Sequence, residues 1–416
     1  MSKIKIDGNY ELSGEVVISG AKNSAVALIP AAILSKDTST IYNVPKITDI
    51  KYLIKIMELL NCKVEQDGDV LHIDSSKAKN KEIPEDLSIQ MRASYYFMGV
   101  LLAKFKRVEI SYPGGCKIGN RPIDLHIKGF EALGAKVTQI KSKFIIEAKN
   151  LKGAKIYLDF PSVGATINIM LAASMAKGTT IIDNAAKEPE IVNIASFLIN
   201  MGCKISGAGT DKIIIEGATT LSKGVTEVFP DRIEAGTYLI IGALLGKIKI
   251  KNVIKEHIHS LLVKLKEVGV EYKIEKDGIT VYKCNKIKST IIKTLVYPGF
   301  PTDLQQPFTT LLTQAEGKSI IYETIYESRF RNTEFLNLMG ANTVITKSDT
   351  LEIYGKTPLK GCEVFASDLR AGASLLIAGL IANGTTTIDN IGFILRGYED
   401  IIEKLKKIGA KIDLIP

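Results

Sequence analysis

Two kinds of apolar pattern alternate along the chain. Stretches such as 168–176 and 374–382 are apolar nearly all round and rich in small residues, which predicts helices buried among neighbours. In 397–408, by contrast, Ile401, Ile402, Leu405 and Ile408 fall at helical spacing on one face, predicting an amphipathic surface helix. Short β-branched runs at 180–183 and 386–389 predict strands. Gln66-Asp67-Gly68-Asp69 and Lys276-Asp277-Gly278-Ile279 predict turns that join strand pairs.

The alternation is periodic. A phrase made of a helix end, a tight turn and a strand occurs six times, as in Ala132-Leu133-Gly134-Ala135-Lys136-Val137 and Lys407-Ile408-Gly409-Ala410-Lys411-Ile412. Its turn positions, Asn61, Gly134, Gly202, Gly269, Gly340 and Gly409, lie about 69 residues apart, so six units fill the chain. Gly and Asn are the residues that most easily take the left-handed conformation ending a helix. The buried-helix pattern opens in the same period, at Lys22, Arg92, Gly164, Glu234, Thr302 and Leu369. Each unit then reads as buried helix, strand, surface helix and strand pair. Three such units about an axis close a compact body, so the prediction is an α/β fold of two globular domains, each of three repeats, with helices inside and sheets outside.

Composition adds exclusions. Of the 416 residues 46% are hydrophobic and 24% charged, as in a folded globular protein. The longest apolar stretch, 371–382, is too short for a transmembrane helix. The first eight residues alternate Lys and Ile without an apolar signal core, so a cytoplasmic location is expected. Cys62, Cys116, Cys203, Cys284 and Cys362 are widely spaced and read as reduced thiols. The net charge of +9 comes from evenly spread Lys without like-charge runs, so it reads as diffuse surface charge, and no nucleic-acid partner is expected. His257 and His259 are two apart and face apart on a helix, and neither a P-loop nor a Gly-x-Gly-x-x-Gly occurs, so no metal or cofactor is expected.

The repeat points to two sets of equivalent loops. Those entering the buried helices carry Gly20-Ala21-Lys22-Asn23, Gln90-Met91-Arg92, Pro161-Ser162-Val163-Gly164, Pro230-Asp231-Arg232-Ile233-Glu234, Pro301-Thr302-Asp303 and Ser367-Asp368-Leu369-Arg370. Cations at a helix N-terminus oppose its dipole unless an anion joins them, so Lys22, Arg92, Arg232 and Arg370 suggest anionic ligands. The alternative is that they form ordinary salt bridges with Asp231, Glu234 and Asp368. In the second set, the loop from Pro113 to His126 holds Gly114, Gly115 and Gly119, which allow an anion-binding backbone, with Pro122 suited to a helix start. Lys117 and Arg121 beside Cys116 would favour its thiolate, although most free cysteines are inert packing residues. The equivalent loops hold Lys187-Glu188-Pro189-Glu190, Glu327-Ser328-Arg329 and Leu395-Arg396-Gly397-Tyr398-Glu399.

At these loops the whole chain resembles the enolpyruvyl transferase family. The motifs are residues 12–23, 113–126, 161–166, 300–305, 367–370 and 396–399, in order and at compatible spacing. The resemblance implies two inside-out α/β barrel-like domains, residues 1–21 with 230–416 and residues 22–229, with the active site in the cleft between them and the N-terminal strand returning to the C-terminal domain. It implies transfer of the enolpyruvyl group of phosphoenolpyruvate to the 3′-hydroxyl of UDP-N-acetylglucosamine, releasing phosphate, as the first committed step of peptidoglycan precursor synthesis. Asp303 would take the hydroxyl proton, and Cys116 would protonate the methylene carbon, with a covalent adduct an option. Lys22, Arg121, Arg370 and Arg396 would supply preorganised positive charge. Asn23, Arg92, Arg121, Pro122, Ile123, Asp124, Leu125, Ser162, Val163, Gly164, Asp303, Ile325, Arg329 and Asp368 match substrate-contacting positions. Phe160-Pro161 and Phe393-Ile394-Leu395 depart from the family pattern. A sister branch acting on shikimate 3-phosphate lacks the loop cysteine. A non-catalytic nucleic-acid or regulatory binder would have no reason to keep Cys116, Asp303 and Lys22 together.

Overall fold

The computed structural model describes residues 3–112, 114 and 122–415. Their contacts divide into two compact units, one made of the segments before Gly20 and after Phe229, the other of Gly20 to Phe229. Each has its own apolar core.

The described residues form six sheets, and one scheme generates five of them, the sheet of Arg107–Ser111, Lys143–Glu147 and Lys136–Ile140 lacking the parallel strand. The strand after a buried helix pairs antiparallel with the second strand of a hairpin and, on its other side, parallel with a strand from elsewhere. Thr38–Tyr42 lies between Val70–Asp74 and Val225–Glu227 in this way, and Thr179–Asp183 lies between Lys212–Glu216 and Lys155–Tyr157. In the last repeat the hairpin partner comes from the opposite end of the sequence. Lys3–Asp7 runs antiparallel to both Lys411–Ile415 and Thr385–Asp389, with Ile4 opposite Leu414 and Ile388. Leu12–Val17 adds parallel to Gly246–Lys251 in the fourth repeat.

Six helices bury almost every residue: Lys22–Ala31, Tyr96–Phe105, Val163–Ala173, Arg232–Leu245, Thr302–Leu312 and Leu369–Ile381. Their starts fall within two residues of the expected positions except in the second repeat, where a 3₁₀ turn, Arg92–Tyr95, precedes the helix. The six turn residues all have positive φ, from 65° at Asn61 to 107° at Gly202, so the helix-ending conformation read from the repeat is present throughout. A second device marks the strand ends. Asn43, Asn184 and Asn252, each just past a strand at positive φ, donate their side-chain amides to Val228, Leu158 and Ile18 carbonyls on neighbouring segments. The surface helix expected over 397–408 begins only at Ile401, because Asp400 is left-handed and Tyr398 is wholly buried. The second expected turn is tighter than drawn, since Gly278 already pairs in the strand Gly278–Val281.

One buried polar cluster joins the start, middle and end of the first unit. Glu234, in the fourth buried helix, accepts from the Ser19 backbone N–H at 2.9 Å and from Lys404 Nζ at 2.6 Å. Lys404 also donates to Ser19 Oγ at 2.6 Å. Burial pushes the Glu234 carboxyl up to about 7 despite the opposing pull of Lys404.

Candidate active site

Asp303 sits in the first turn of Thr302–Leu312, whose N-cap is Pro301, so the carboxylate is released from the cap position. Its oxygens face two guanidinium groups. Oδ1 accepts from Arg329 Nη2 at 2.7 Å and Oδ2 from Arg370 Nη2 at 3.0 Å. Both arginines are almost wholly buried, while the Asp303 side chain keeps 26% exposure and is open to a ligand. Burial would raise the Asp303 carboxyl, but the charges of Arg370 and Arg329 outweigh it and hold the group well below the usual carboxylate range.

The sequence holds each member in place locally. Asp368 caps the helix Leu369–Ile381, accepting from the backbone of Arg370 at 2.9 Å and Ala371 at 3.0 Å, and so fixes where Arg370 leaves the chain. The Arg370 guanidinium lies 5.5 Å from the Tyr398 ring centre, and the Tyr398 hydroxyl is 2.9 Å from Thr237 Oγ1. The Arg329 carbonyl accepts from Gln306 Nε2 at 2.9 Å. Arg370 Nη1 and Arg329 Nε are buried and find no hydrogen-bond partner among the described residues. A buried charged donor left unsatisfied is costly, so these atoms favour an incoming anion or water.

Arg396 follows the short helix Gly392–Leu395 and is half-buried. The departure just before it has a packing reason: Ile394 is fully buried against Gly372 of the Arg370 helix, where any side chain at 372 would crowd it. Ile325 is half-buried, its N–H held by Glu323 at 2.9 Å.

In the other unit, Lys22 opens its helix and pairs with Asp49, Nζ to Oδ2, at 2.7 Å. Gly20 lies so close to the Asn43 carbonyl that a Cβ there would collide with it, which fixes the chain two residues before Lys22. Asn23 is half-buried in the same turn. Arg92 lies 5.8 Å from the Tyr95 ring centre and 6.0 Å from that of Tyr112. Ser162 caps the helix Val163–Ala173, its Oγ accepting from Ala165 at 3.3 Å, and at Gly164 a Cβ would crowd the Tyr95 hydroxyl. Tyr95 also meets the His126 ring edge-on at 4.9 Å. Arg92, the Ser162–Gly164 turn and the helix Asp124–Ala132 therefore converge around Tyr95 and His126. Pro122 is exposed, two residues ahead of that helix rather than in its first turn; Ile123 is its N-cap, Asp124 its first residue, and Leu125 is half-buried. Burial, and then Arg92, push His126 down to about 3. The neutral ring takes the Asn168 amide at Nδ1, 2.8 Å away.

Cys116, Lys117 and Arg121 lie outside the described residues, with Pro113, Gly115, Ile118, Gly119 and Asn120. The three acids of the salt-bridge alternative make contacts of their own. Asp231 caps its helix by accepting from Ile233 and Glu234, Glu234 goes to Lys404, and Asp368 caps. Lys22 and Arg370 instead pair with Asp49 and Asp303, distant in sequence. Asp49 was missed, although Lys46-Ile47-Thr48-Asp49 is the first repeat's copy of the strand-to-surface-helix loop and was there to be read. Glu323, which accepts from Thr302 while Thr302 meets Arg329, was missed for want of any signal beyond adjacency to the loop carrying Arg329.

Sheets repeating one scheme around buried helices, with cations and an acid at the helix ends, define an α/β repeat class. The chain belongs to the EPSP synthase (3-phosphoshikimate 1-carboxyvinyltransferase) family, which it matches over residues 6–405. It is 51% identical over 418 residues to UDP-N-acetylglucosamine 1-carboxyvinyltransferase 2 of Streptococcus mutans, covering 100% of both chains. It is 50% identical over 413 residues to the enzyme of that name from Geobacillus kaustophilus, covering 99% of this chain and 96% of the relative. Among solved structures, the enolpyruvyl transferase NikO from Streptomyces tendae superposes with a TM-score of 0.91 at 26% identity, covering 100% of this chain and 99% of that one. EPSP synthase from Acinetobacter baumannii, at 0.76 and 18% identity over the full length of both, shares the fold.

Proposed function

We propose that this protein transfers the enolpyruvyl group of phosphoenolpyruvate to the 3′-hydroxyl of UDP-N-acetylglucosamine and releases inorganic phosphate, in peptidoglycan precursor synthesis. The observation that carries the reading is full-length identity of about half to enzymes of that name. The Asp303–Arg329–Arg370 cluster gives it chemical sense. In this reading each unit is an inside-out domain of three repeats, the enzyme works in the cytoplasm, and its partners are the two small anionic substrates.

The 3′-oxygen bonds to C2 of phosphoenolpyruvate, its proton passing to Asp303, while Cys116 delivers a proton to the methylene carbon. Loss of phosphate from C2 and of a proton from the methyl carbon then restores the double bond in the product. Held between two guanidinium groups, Asp303 is a weak base. An anionic substrate that draws Arg370 toward itself would return basicity to Asp303 when it is needed. Lys22, Arg121 and Arg396 supply further positive charge to phosphate and carboxylate. Asn23, Arg92, 121–125, Ser162, Val163, Gly164, Ile325 and Asp368 line or shape the nucleotide-sugar side.

The test is phosphate release from phosphoenolpyruvate with either acceptor. Release is expected with UDP-N-acetylglucosamine and at background level with shikimate 3-phosphate. Equal or greater release with shikimate 3-phosphate would overturn the assignment.

A further inference from the structure

Glu323 is a carboxylate with 3% exposure, outside every motif read in the sequence and without a role in the steps above. Four donors converge on it. Oε1 accepts from Thr294 Oγ1 at 2.9 Å, from the Ile325 N–H at 2.9 Å and from the Tyr326 N–H at 3.1 Å. Oε2 accepts from Thr302 Oγ1 at 2.8 Å. The Thr302 hydroxyl is in turn 2.7 Å from Arg329 Nη1, and Arg329 Nη2 is the atom that holds Asp303.

The polarity of this chain is fixed from one end. A guanidinium only donates and a carboxylate only accepts, whereas a threonine hydroxyl has one proton to give. Because Glu323 takes that proton, Thr302 turns a lone pair to Arg329. The same carboxylate fixes the backbone after the strand Ala315–Tyr322, at Ile325 and Tyr326, and the Arg329 guanidinium rests 5.1 Å from the Tyr326 ring centre. It therefore sets Arg329 from two directions, through Thr302 and through the segment carrying Tyr326.

We propose that Glu323 is a positioning residue for the proton transfer at Asp303: by its acceptor-only character it orients Thr302 and locks Arg329 in register with the Asp303 carboxylate. An isosteric amide cannot replace it. With its nitrogen toward Thr302, the hydroxyl has to accept from the amide as well as from Arg329, and its proton loses the acceptor that oriented it. With its nitrogen toward Oε1's partners, it meets two backbone N–H groups that can only donate.

The proposal rests on the enolpyruvyl-transfer reading, and that reading is judged separately by turnover of the unaltered protein. With that turnover established, Glu323→Gln is expected to lower kcat by roughly 10- to 100-fold, the scale of a small misplacement of a reacting group, with KM for phosphoenolpyruvate held within about threefold. Thr302→Val should reproduce the effect, and the double variant should be no slower than the slower single one, because both break the same chain. Thermal unfolding of all three variants is followed alongside. A lowered melting temperature with kcat retained would make Glu323 a merely structural carboxylate and overturn the proposal. Independent, multiplicative losses from the two single changes would also overturn it, since they would mean that Glu323 does not act through Thr302. Should Glu323→Gln fail to fold, Thr302→Val alone decides: retained kcat counts against the chain, and a loss of kcat at unchanged KM supports it.

Discussion

At the scale of single residues, the chemistry depends on how charge is held before substrate arrives. Asp303 is bracketed by two buried cations, so its basicity is latent and its negative charge secure. Asp303→Asn keeps the shape while removing the proton acceptor, and turnover should fall by roughly 10²- to 10⁴-fold with thermal unfolding little changed; near-normal turnover would leave the residue only an electrostatic anchor for its arginines. The thiols divide in the opposite sense. Cys62 and Cys203 are buried at 5% and 2% exposure, and burial pushes both thiols up, Cys203 to about 11. Cys362 is also raised by burial. Alkylation by a small electrophile near neutral pH, followed by peptide mapping, should therefore find Cys116 first, with phosphoenolpyruvate slowing it. First labelling at Cys62 or Cys203 would remove the argument for a reactive Cys116.

At the scale of elements, the repeat was legible because it is written twice, once in the small-residue helices and once in the Gly or Asn that ends each surface helix. Backbone conformation is the common cause, so the six turn positions could be named from sequence alone. Gly202 tests that cause cleanly. It has φ 107° and open space where a Cβ would point, whereas Gly392 has equally open space without a positive φ. Gly202→Ala should cost about 1–2 kcal/mol in urea unfolding, the usual penalty of a left-handed residue with a side chain, and Gly392→Ala far less. Equal effects would mean that the turn does not demand glycine. From residue type alone, helix ends pointed to Lys22, Asp303 and Arg370 as candidates, and the remaining candidates came from loop composition and from the family resemblance. Partnerships were not legible, because Asp49 reaches Lys22, and Arg329 reaches Asp303, across segments whose meeting is decided by sheet order. Arg396 was named for its charge, yet the Ile394 packing that anchors its approach reads in sequence only as a departure from pattern.

At the scale of the molecule, the first unit is assembled from both arms of the chain, and Glu234 with Lys404 and Ser19 ties them. Since the folded protein binds a proton at Glu234 more tightly than the unfolded chain does, this group's contribution to stability falls as pH rises from about 4.5 to about 7. Melting temperatures measured across that interval should decline less in Glu234→Gln than in the unaltered protein; parallel curves would show that the carboxyl is ionised throughout. The strand Lys3–Asp7 carries a different consequence. Its neighbours, Thr385–Asp389 and Lys411–Ile415, are synthesised about 400 residues later, tens of seconds at ordinary translation rates. Everything the Gly20 to Phe229 unit needs has left the ribosome long before then. Synthesis thus imposes an order on assembly: the interior unit can be finished while the leading strand trails, uncovered, as a ribbon of alternating Ile and Lys. Those lysines suit a strand that must stay dissolved and unpaired until its partner is made.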